Sequence, residues 1–543
     1  MFQVALIPPP LTGSNHRLPF THAMTARLDT IDEDVLECIF WFVNPPRMHV
    51  KPTDLLFYDH NARSFAAVSR HFHEFCASRI YKNVPWVWRE LKHGFVPESL
   101  WIYVRRLHVQ LCGSNDTDAL YQADPPPGMP EQLERALPHM PALETLRISI
   151  AGHRRHGVWP SLLQSLRLSV CLKSLEVDAQ WRYSRESLAP INLDSGLALE
   201  RFVYDASLAP IEHTNREANP GKRTSEQCQV ETHNLQLLLD HCRGTLKTLE
   251  LPAEISAEIL RRPFPCLTDL TLRGYSPPLP RNIHSLWLSA VSLGSMLRNL
   301  DLQMIPCRDV VPDEDHSNFP VHCLSHLQSL TLSAINYMPN DPILQALPST
   351  VTRLSLNPYP LPLDPDECDD WKIPTYIVSG GDLLRILGFG TFSNLDSLEL
   401  SYRWNGDNYE MAILAALPGC SPYLRTLEFN RYEAPGRGLD FMLPLQQGLR
   451  NLHCLEKLSL NLEKIPPPIY VRHLDSFWED IVSQERNARI RELGACVPSL
   501  RHISYLGMAR RRRMTWVWTT WEVVRRDNND VELVFAGNSD DIW

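Results

Sequence analysis

One pattern of apolar and polar residues recurs between residues 104 and 505. It is a six-residue phrase, here called the repeat phrase, with apolar residues at positions 1, 4 and 6. Positions 4 and 6 point to one face of an extended segment and position 5 points to the other, so each copy predicts a β-strand. The copies begin at Val104, Leu143, Leu172, Leu199, Leu246, Leu267, Leu297, Leu327, Val351, Leu395, Leu424, Leu455 and Leu500.

Short runs with helical spacing precede most copies and end in Gly or Pro, for example LERALPHMPA, LQLLLDHCRG and LLRILGFG. Two further matches, LQSLRL from Leu163 and IHSLWL from Ile283, come too soon before the next copy to be strands and are interpreted as repeat helices. A strand followed by a returning helix, stacked about a dozen times, predicts an α/β solenoid over residues 100–508. Its parallel strands would line the concave face and its helices the convex face. The polar, proline-rich segments 113–131, 205–234, 306–323 and 357–381 are predicted to be loops.

These phrases resemble the leucine-rich-repeat family in its irregular form. The regular family has Asn or Cys three residues after the last leucine, whereas this sequence has, for example, Tyr275, Ile305 and Ile335 there. The resemblance implies a curved solenoid of about 13 repeats without an asparagine ladder.

The residues at positions 3 and 5 of each phrase point away from the core and are mostly small and polar, with an acidic bias. This bias favours a partner protein with a basic segment, although any solenoid surface must be polar for solubility. The candidate substrate-binding residues on this concave face are Glu250, Asp269, Asp301, Arg353, Glu399 and Glu428.

The two ends of the chain differ from the repeats. Residues 1–26 carry a PPP run and no periodicity, which predicts a flexible lead. Residues 509–543 contain WTTWEVV and VELVF on either side of RRDNND, a pattern typical of a hairpin that caps the open end of the sheet. The basic run 510–513 precedes it and is interpreted as a solvated turn, with a nuclear-import signal as the alternative.

Residues 27–84 predict a compact helical module. In TARLDTIDEDVLECIFWFV, Thr30 or Asp32 can cap a helix, and apolar residues follow at helical spacing. NARSFAAVSRHFHEFCASRIYKNV predicts a second helix with an apolar face that includes Val68 and Phe72.

The segments IDEDVLECIF (31–40) and VSRHF (68–72) resemble the two helical motifs of the F-box family, in the family's order. The family's proline is Asp32 here, and the segment between the helices is longer than usual. The resemblance implies docking to a Skp-type adaptor, which joins a cullin-based ubiquitin ligase. It implies adaptor contacts at Ile31, Asp32, Val35, Leu36, Ile39, Phe40, Val68 and Phe72, although some of these apolar residues are needed for the module's own core.

Composition narrows the function classes. The 543 residues include 53 basic and 63 acidic residues, a net charge of −10, which argues against a nucleic-acid-binding protein. No apolar run is long enough to cross a membrane. Thirteen scattered cysteines without a CxxC pair favour a reducing compartment, the cytoplasm or the nucleus. The sequence contains no recognisable catalytic, metal-binding or cofactor-binding motif.

The sequence therefore predicts a non-catalytic, substrate-recognition subunit of a Skp–cullin–F-box ubiquitin ligase. Its F-box would dock the adaptor, and its repeats would bind a substrate protein. One alternative is a leucine-rich-repeat interaction scaffold unconnected to ubiquitin, whose N-terminal helices only cap the solenoid. Another is an enzyme whose active site lies in the inserted loops. No catalytic motif supports this alternative; a pocket that holds an acidic or histidine side chain with a strongly shifted pKa would favour it.

Overall fold

In this computed structural model the chain divides into two compact units, residues 1–83 and residues 84–543. The predicted lead, residues 1–26, lies outside the described residues. The structure describes residues 35–36, 70–88, 97–112, 129–151, 160–178, 197–204, 225–275, 296–305, 324–333, 342–345, 347–358, 377–389, 392–404, 409–433, 442–461, 476–510, 514–526 and 531–539.

The described part of the first unit is mainly helical. Val35 and Leu36 lie in helical conformation, and helix α1 spans Arg70–Ile80. Apolar side chains from both segments form a core, as a unit of this size requires. The buried cluster consists of Leu36, Phe72, Phe75 and Cys76, with Ile80 packed against it.

The second unit is built on one open sheet of 16 strands whose spatial order follows the sequence. All neighbouring strands from β2 to β14 run parallel. The strands are β1 (Asn83–Trp88), β2 (Arg106–Cys112), β3 (Thr145–Ala151), β4 (Ser174–Asp178), β5 (Arg201–Tyr204), β6 (Thr248–Pro252), β7 (Asp269–Tyr275), β8 (Asn299–Ile305), β9 (Ser329–Leu332), β10 (Arg353–Leu356), β11 (Ser397–Trp404), β12 (Thr426–Glu433), β13 (Lys457–Leu460), β14 (His502–Arg510), β15 (Met514–Arg525) and β16 (Val531–Ser539).

Helices lie between many of the strands, which confirms the predicted α/β class. The further described helices are α2 (Met129–Ala136), α3 (Pro160–Leu166), α4 (Ser225–Cys242), α5 (Ala253–Ile259), α6 (Pro342–Gln345), α7 (Gly380–Leu387), α8 (Tyr409–Cys420), α9 (Met442–Leu449) and α10 (Ser476–Cys496). Short 3-10 helices span Glu98–Tyr103 and Leu137–His139.

Each repeat phrase forms one of the thirteen strands β2 to β14, and each strand begins at position 3 of its phrase. The side chains at positions 1, 4 and 6 are buried in all thirteen copies. Adjacent phrases pair without a shift, as where Leu354 lies between Leu330 and Leu398. At every junction the N–H groups of positions 2 and 3 both donate to the carbonyl of position 2 in the preceding phrase, at 2.8–3.0 Å. The phrase therefore sets the register of the sheet.

The helical interpretation of LQSLRL agrees with α3, while residues 283–288 lie outside the described residues. Three of the predicted loops are shorter than expected, because α2 begins at Met129, α4 at Ser225 and α7 at Gly380. The first turns of α4 are polar and fall within the predicted loop 205–234. They include Glu231, which is buried and accepts a hydrogen bond of 2.9 Å from the hydroxyl of Tyr204.

The last two strands of the sheet depart from the parallel arrangement. Strand β15 pairs antiparallel with β14, and β16 pairs antiparallel with β15. WTTWEVV lies in β15 and VELVF in β16, and the basic run extends from the end of β14 into residues outside the described ranges. Within the described ranges, no helix has the length and apolar character that a bilayer crossing requires.

Candidate functional site

The candidate site is the sheet face opposite the buried apolar positions, here called the polar face. It carries positions 3, 5 and 7 of the repeat phrases, because side chains alternate along a strand. In the described strands most of these residues are partly exposed, polar or charged. All six predicted substrate-binding residues lie on this face: Glu250, Asp269, Asp301, Arg353, Glu399 and Glu428.

Four of the six share one depression of about 390 Å³ on the polar face. Strands β5 to β10 line it, and hydroxyl and amide side chains surround the charged groups. The depression brings together residues that are far apart in the chain. Of the predicted set, Glu250 and Arg353 are the most distant, at 103 positions apart. Its charged lining residues are Arg201, Glu250, Asp269, Asp301 and Arg353.

Arg273 on β7 bridges two of these carboxylates. Its Nη1 lies 2.9 Å from Glu250 Oε1, and its Nη2 lies 3.7 Å from Asp301 Oδ2. Gln303 Nε2 also donates to Asp301 Oδ2, at 3.2 Å. Burial nevertheless raises the pKa of Asp301 to about 6, against the opposing effect of Arg273. Arg273 thus offsets one of the two negative charges of this part of the face.

Asp269, at the start of β7, is held by neutral donors. Thr268 Oγ1 donates to Asp269 Oδ2 at 2.5 Å, and Asn299 Nδ2 donates to Asp269 Oδ1. These bonds fix the carboxylate at the rim of the depression and leave its charge without a cation among the described neighbours.

Glu399 and Glu428 lie outside the depression and form a separate pair. They are register partners on the adjacent strands β11 and β12. Ser355 Oγ donates to Glu399 Oε2 at 2.6 Å. Asn357 Nδ2 reaches both carboxylates, at 3.3 Å from Glu399 Oε2 and 3.2 Å from Glu428 Oε1. Asn430 Nδ2 donates to Glu428 Oε1 at 2.7 Å.

The environment of this pair disfavours two negative charges. Burial and the adjacent Glu399 carboxylate raise the pKa of Glu428 to about 7, although the hydrogen bonds from Asn430 and Asn357 oppose the shift. Within the described part of the chain, no Lys, Arg or His nitrogen lies within 4.0 Å of either carboxylate. The pair is therefore held by neutral groups alone.

The first strands of the polar face are more basic. Glu176 on β4 lies between two arginines, with Arg201 Nε at 3.2 Å and Arg147 Nε at 3.9 Å. His108 on β2 contacts the hydroxyl of Ser149 at 2.7 Å. Burial and Arg147 lower the pKa of His108, so the neutral imidazole is favoured there.

Sequence reasoning missed the residues at position 7. Continuing the alternation one step beyond the phrase would have found them, because positions 3, 5 and 7 share a face. They supply the contacts that organise the carboxylates, and Ser401 Oγ also donates to Asn357 Oδ1 at 2.6 Å. The missed residues are Arg273, Gln303, Asn357, Ser401 and Asn430.

The predicted adaptor-binding residues are only partly described. Leu36 and Phe72 are 0% and 2% exposed and belong to the core of the first unit. Val35 is 50% exposed and is therefore accessible to a partner. Ile31, Asp32, Ile39, Phe40 and Val68 lie outside the described residues.

The described residues include no group of three or more His, Cys, Asp or Glu side chains arranged to hold a metal ion. The chemistry that the polar face offers is hydrogen bonding and ion pairing through carboxylate, guanidinium, amide and hydroxyl groups. Such groups suit the recognition of a polar macromolecular surface.

No protein-family model matches the sequence. No curated protein matches it either. Among solved structures, the crystal structure of the Rad7 and Elc1 complex in yeast matches with 14% sequence identity and a TM-score of 0.36. The alignment covers 88% of this chain and 90% of that chain. A match at this TM-score carries no argument about family or function.

Proposed function

We propose that this chain is a non-catalytic, substrate-binding subunit of a Skp–cullin–F-box ubiquitin ligase. The N-terminal helical unit would bind a Skp-type adaptor and, through it, a cullin, while the polar face would bind the substrate protein. The proposal includes a cytoplasmic or nuclear location, which the scattered cysteines favour.

The observation that carries the binding role is the polar face itself. Thirteen parallel strands in unbroken register present rows of partly exposed polar side chains over a long, open sheet. Stacked repeats commonly use such extended surfaces to bind proteins. The adaptor role rests on the two F-box-like motifs in the sequence.

One observation favours the alternative, an interaction scaffold unconnected to ubiquitin. Leu36 and Phe72, which the family resemblance assigns to adaptor contacts, are buried inside the unit. Apolar residues that fill a core are not available to insert into a partner's groove. Val35, a predicted adaptor-binding residue within the described ranges, is exposed, so the adaptor contact can be tested there.

The test is co-purification of the full chain with a Skp-type adaptor. Val35→Asp places a charge at an exposed apolar position and should weaken adaptor binding at least tenfold without unfolding the unit. Val170→Asp is the matched control, because Val170 is 78% exposed in the turn after α3. A Leu36 variant is unsuitable, since a charge at a fully buried position would disrupt the core.

If wild type and Val170→Asp bind the adaptor and Val35→Asp does not, the ligase role is supported. If the wild type fails to bind, the ligase role is wrong and the scaffold alternative stands. If Val35→Asp binds as tightly as wild type, the adaptor contact does not involve this helical face.

A further inference from the structure

The residues at position 2 of the repeat phrases form a row along one end of the strands, here called the charged row. Position 2 lies directly before each strand, and the backbone hydrogen bonds between phrases set neighbouring copies side by side. Cations and carboxylates alternate in the first and last parts of this row. The first five members are Arg105, Glu144, Lys173, Glu200 and Lys247, and the last four are Asp396, Arg425, Glu456 and Arg501.

Ion pairs follow from this alternation. Arg105 Nη1 lies 3.5 Å from Glu144 Oε1, and Arg425 Nε lies 3.5 Å from Asp396 Oδ1. Glu200 lies between two lysines, with its carboxylate oxygens 3.8 Å from Lys173 Nζ and 2.7 Å from Lys247 Nζ. In both alternating parts, each cation therefore has a carboxylate at position 2 of a neighbouring phrase.

The alternation stops beside strands β7 to β10, which line the depression. The four members of the charged row at these strands are Thr268, Arg298, Gln328 and Thr352. Arg298 is exposed and has an uncharged residue on either side of it in the row. In the described part of the chain, no carboxylate oxygen lies within 4.0 Å of its side-chain nitrogens.

A second arginine without such a carboxylate lies close to Arg298. Arg353 begins β10, lines the depression and is exposed. Its register partner on β9 is Ser329, which also pairs with Asn299, the residue after Arg298. Strands β8 and β10 are therefore about 10 Å apart, with β9 between them. At this spacing two arginine side chains can reach one group that lies over Ser329.

The surroundings of the two arginines carry little negative charge. Positions 2 and 3 of the phrases of β7 to β10, here called the arginine patch, contain one acidic residue, Asp269, and hence have a net charge of +1. Asp269 accepts its hydrogen bonds from Thr268 and Asn299. The uncharged members of the patch are Thr268, Asn299, Gln328, Ser329 and Thr352, all of which carry a hydroxyl or amide donor.

The chemistry of the arginine patch fits a carboxylate. Guanidinium groups donate strong, charge-assisted hydrogen bonds to carboxylates and phosphates alike. One carboxylate carries a charge of −1 and balances the net charge of the patch, whereas a phosphorylated side chain carries about −1.5 to −2. Charge complementarity therefore favours the side chain of an aspartate or glutamate of a bound protein.

We propose that Arg298 and Arg353 bind one carboxylate side chain of the protein held by the polar face, with the hydroxyl of Ser329 as a further donor between them. The inference rests on the proposed role of that face in protein binding, and it does not depend on the adaptor. It assigns an acidic residue of the substrate to one place on a face whose overall bias is acidic.

The probe is a fluorescent nonapeptide of alternating glycine and aspartate, whose binding to the purified full chain is measured by anisotropy at about 0.15 M salt. The variant is Arg298→Gln/Arg353→Gln, which removes both cations. The control is Arg105→Gln/Arg425→Gln, which changes the net charge equally at two exposed arginines that have carboxylate partners. Thermal melting establishes that all three proteins are folded.

We expect Arg298→Gln/Arg353→Gln to bind the aspartate peptide at least fivefold more weakly than wild type, and the control to stay within twofold. The same peptide with asparagine in place of aspartate should bind wild type at least fivefold more weakly, because it lacks the charge. The inference is overturned if wild type does not bind the aspartate peptide or if both variants lose affinity equally. It is also overturned if a phosphoserine peptide or an oligothymidine binds at these arginines and the aspartate peptide does not.

The adaptor experiment separates this inference from the ligase role. Arg298→Gln/Arg353→Gln should co-purify with a Skp-type adaptor whenever wild type does. If wild type binds the aspartate peptide through these arginines but never binds the adaptor, the ligase role fails and the carboxylate site stands. If the adaptor binds and the peptide does not, the carboxylate site fails alone.

Discussion

Arg431 and Glu410 form a buried ion pair on the side of the sheet opposite the polar face. Arg431 Nε lies 2.9 Å from Glu410 Oε1, and the two side chains are 2% and 10% exposed. The hydroxyl of Tyr402 donates to the same carboxylate oxygen at 2.6 Å, and the guanidinium lies 4.5 Å from the centre of the Trp404 ring. Through this pair helix α8 is tied to strand β12.

Removing one partner of this ion pair should destabilise the repeat unit strongly. We expect Arg431→Met to lower the free energy of unfolding by about 3–5 kcal/mol, because it leaves a carboxylate buried without its cation. Urea unfolding measures the change. Asp382→Asn is the control, since the Asp382–Arg385 pair is exposed and should be worth less than about 1 kcal/mol.

The double variant Arg431→Met/Glu410→Gln should recover part of the lost free energy of unfolding, because neither of the two side chains then carries an unpaired charge. If Arg431→Met lowers the free energy of unfolding no more than Asp382→Asn does, the buried ion pair does not stabilise the repeat unit.

The Glu428 carboxyl should make stability depend on pH. Its pKa is raised to about 7 in the folded chain, from an ordinary value of 4.5. Between these values the folded state binds more protons than the unfolded state, so the contribution of Glu428 to stability falls as pH rises through this window. Glu428→Gln removes this titration. The free energy of unfolding of the variant minus that of wild type should therefore increase by about 1–3 kcal/mol from pH 5 to pH 8.

Urea midpoints of wild type and Glu428→Gln at the two pH values test this expectation. Glu522→Gln, at an exposed carboxyl on β15, provides the baseline for losing one charge. An unchanged difference between wild type and Glu428→Gln at pH 5 and pH 8 would contradict the shift.

Gly448 in α9 allows a close helix contact. A Cβ atom at this position would lie 2.3 Å from Leu414 Cβ in α8. Alanine has the higher helix propensity by about 1 kcal/mol, yet we expect Gly448→Ala to lower the free energy of unfolding by about 1–3 kcal/mol because of this overlap.

Gly419 offers a matched comparison, since nothing lies within 4 Å of a Cβ atom built there. Gly419→Ala should change the thermal midpoint little. Equal midpoints for the two alanine variants would show that α8 and α9 adjust their spacing at no measurable cost.

Most of the repeat architecture could be predicted from the sequence. The phrase is local, and its apolar positions 1, 4 and 6 are buried in all thirteen copies. The start of α4 could not be predicted in this way. Its buried Glu231 depends on the hydroxyl of Tyr204, and the two residues lie 27 positions apart.

The candidate site could be predicted only in outline. Alternation placed the six predicted residues on one face, but it did not separate the depression from the Glu399–Glu428 pair. Asn357 contacts Glu428 across 71 residues of sequence. Such contacts depend on which strands are neighbours, and no local pattern contains that information.

The sequence by itself determined which residues become strands and which side chains enter the core, because burial along a strand follows the two-residue alternation of apolar positions. Only the tertiary structure decided which carboxylates lie beside a cation. In-register pairing of the phrases places Arg273 between Glu250 and Asp301 and places Glu399 beside Glu428 without a described cation. Those outcomes depend on neighbouring strands, which distant parts of the chain supply.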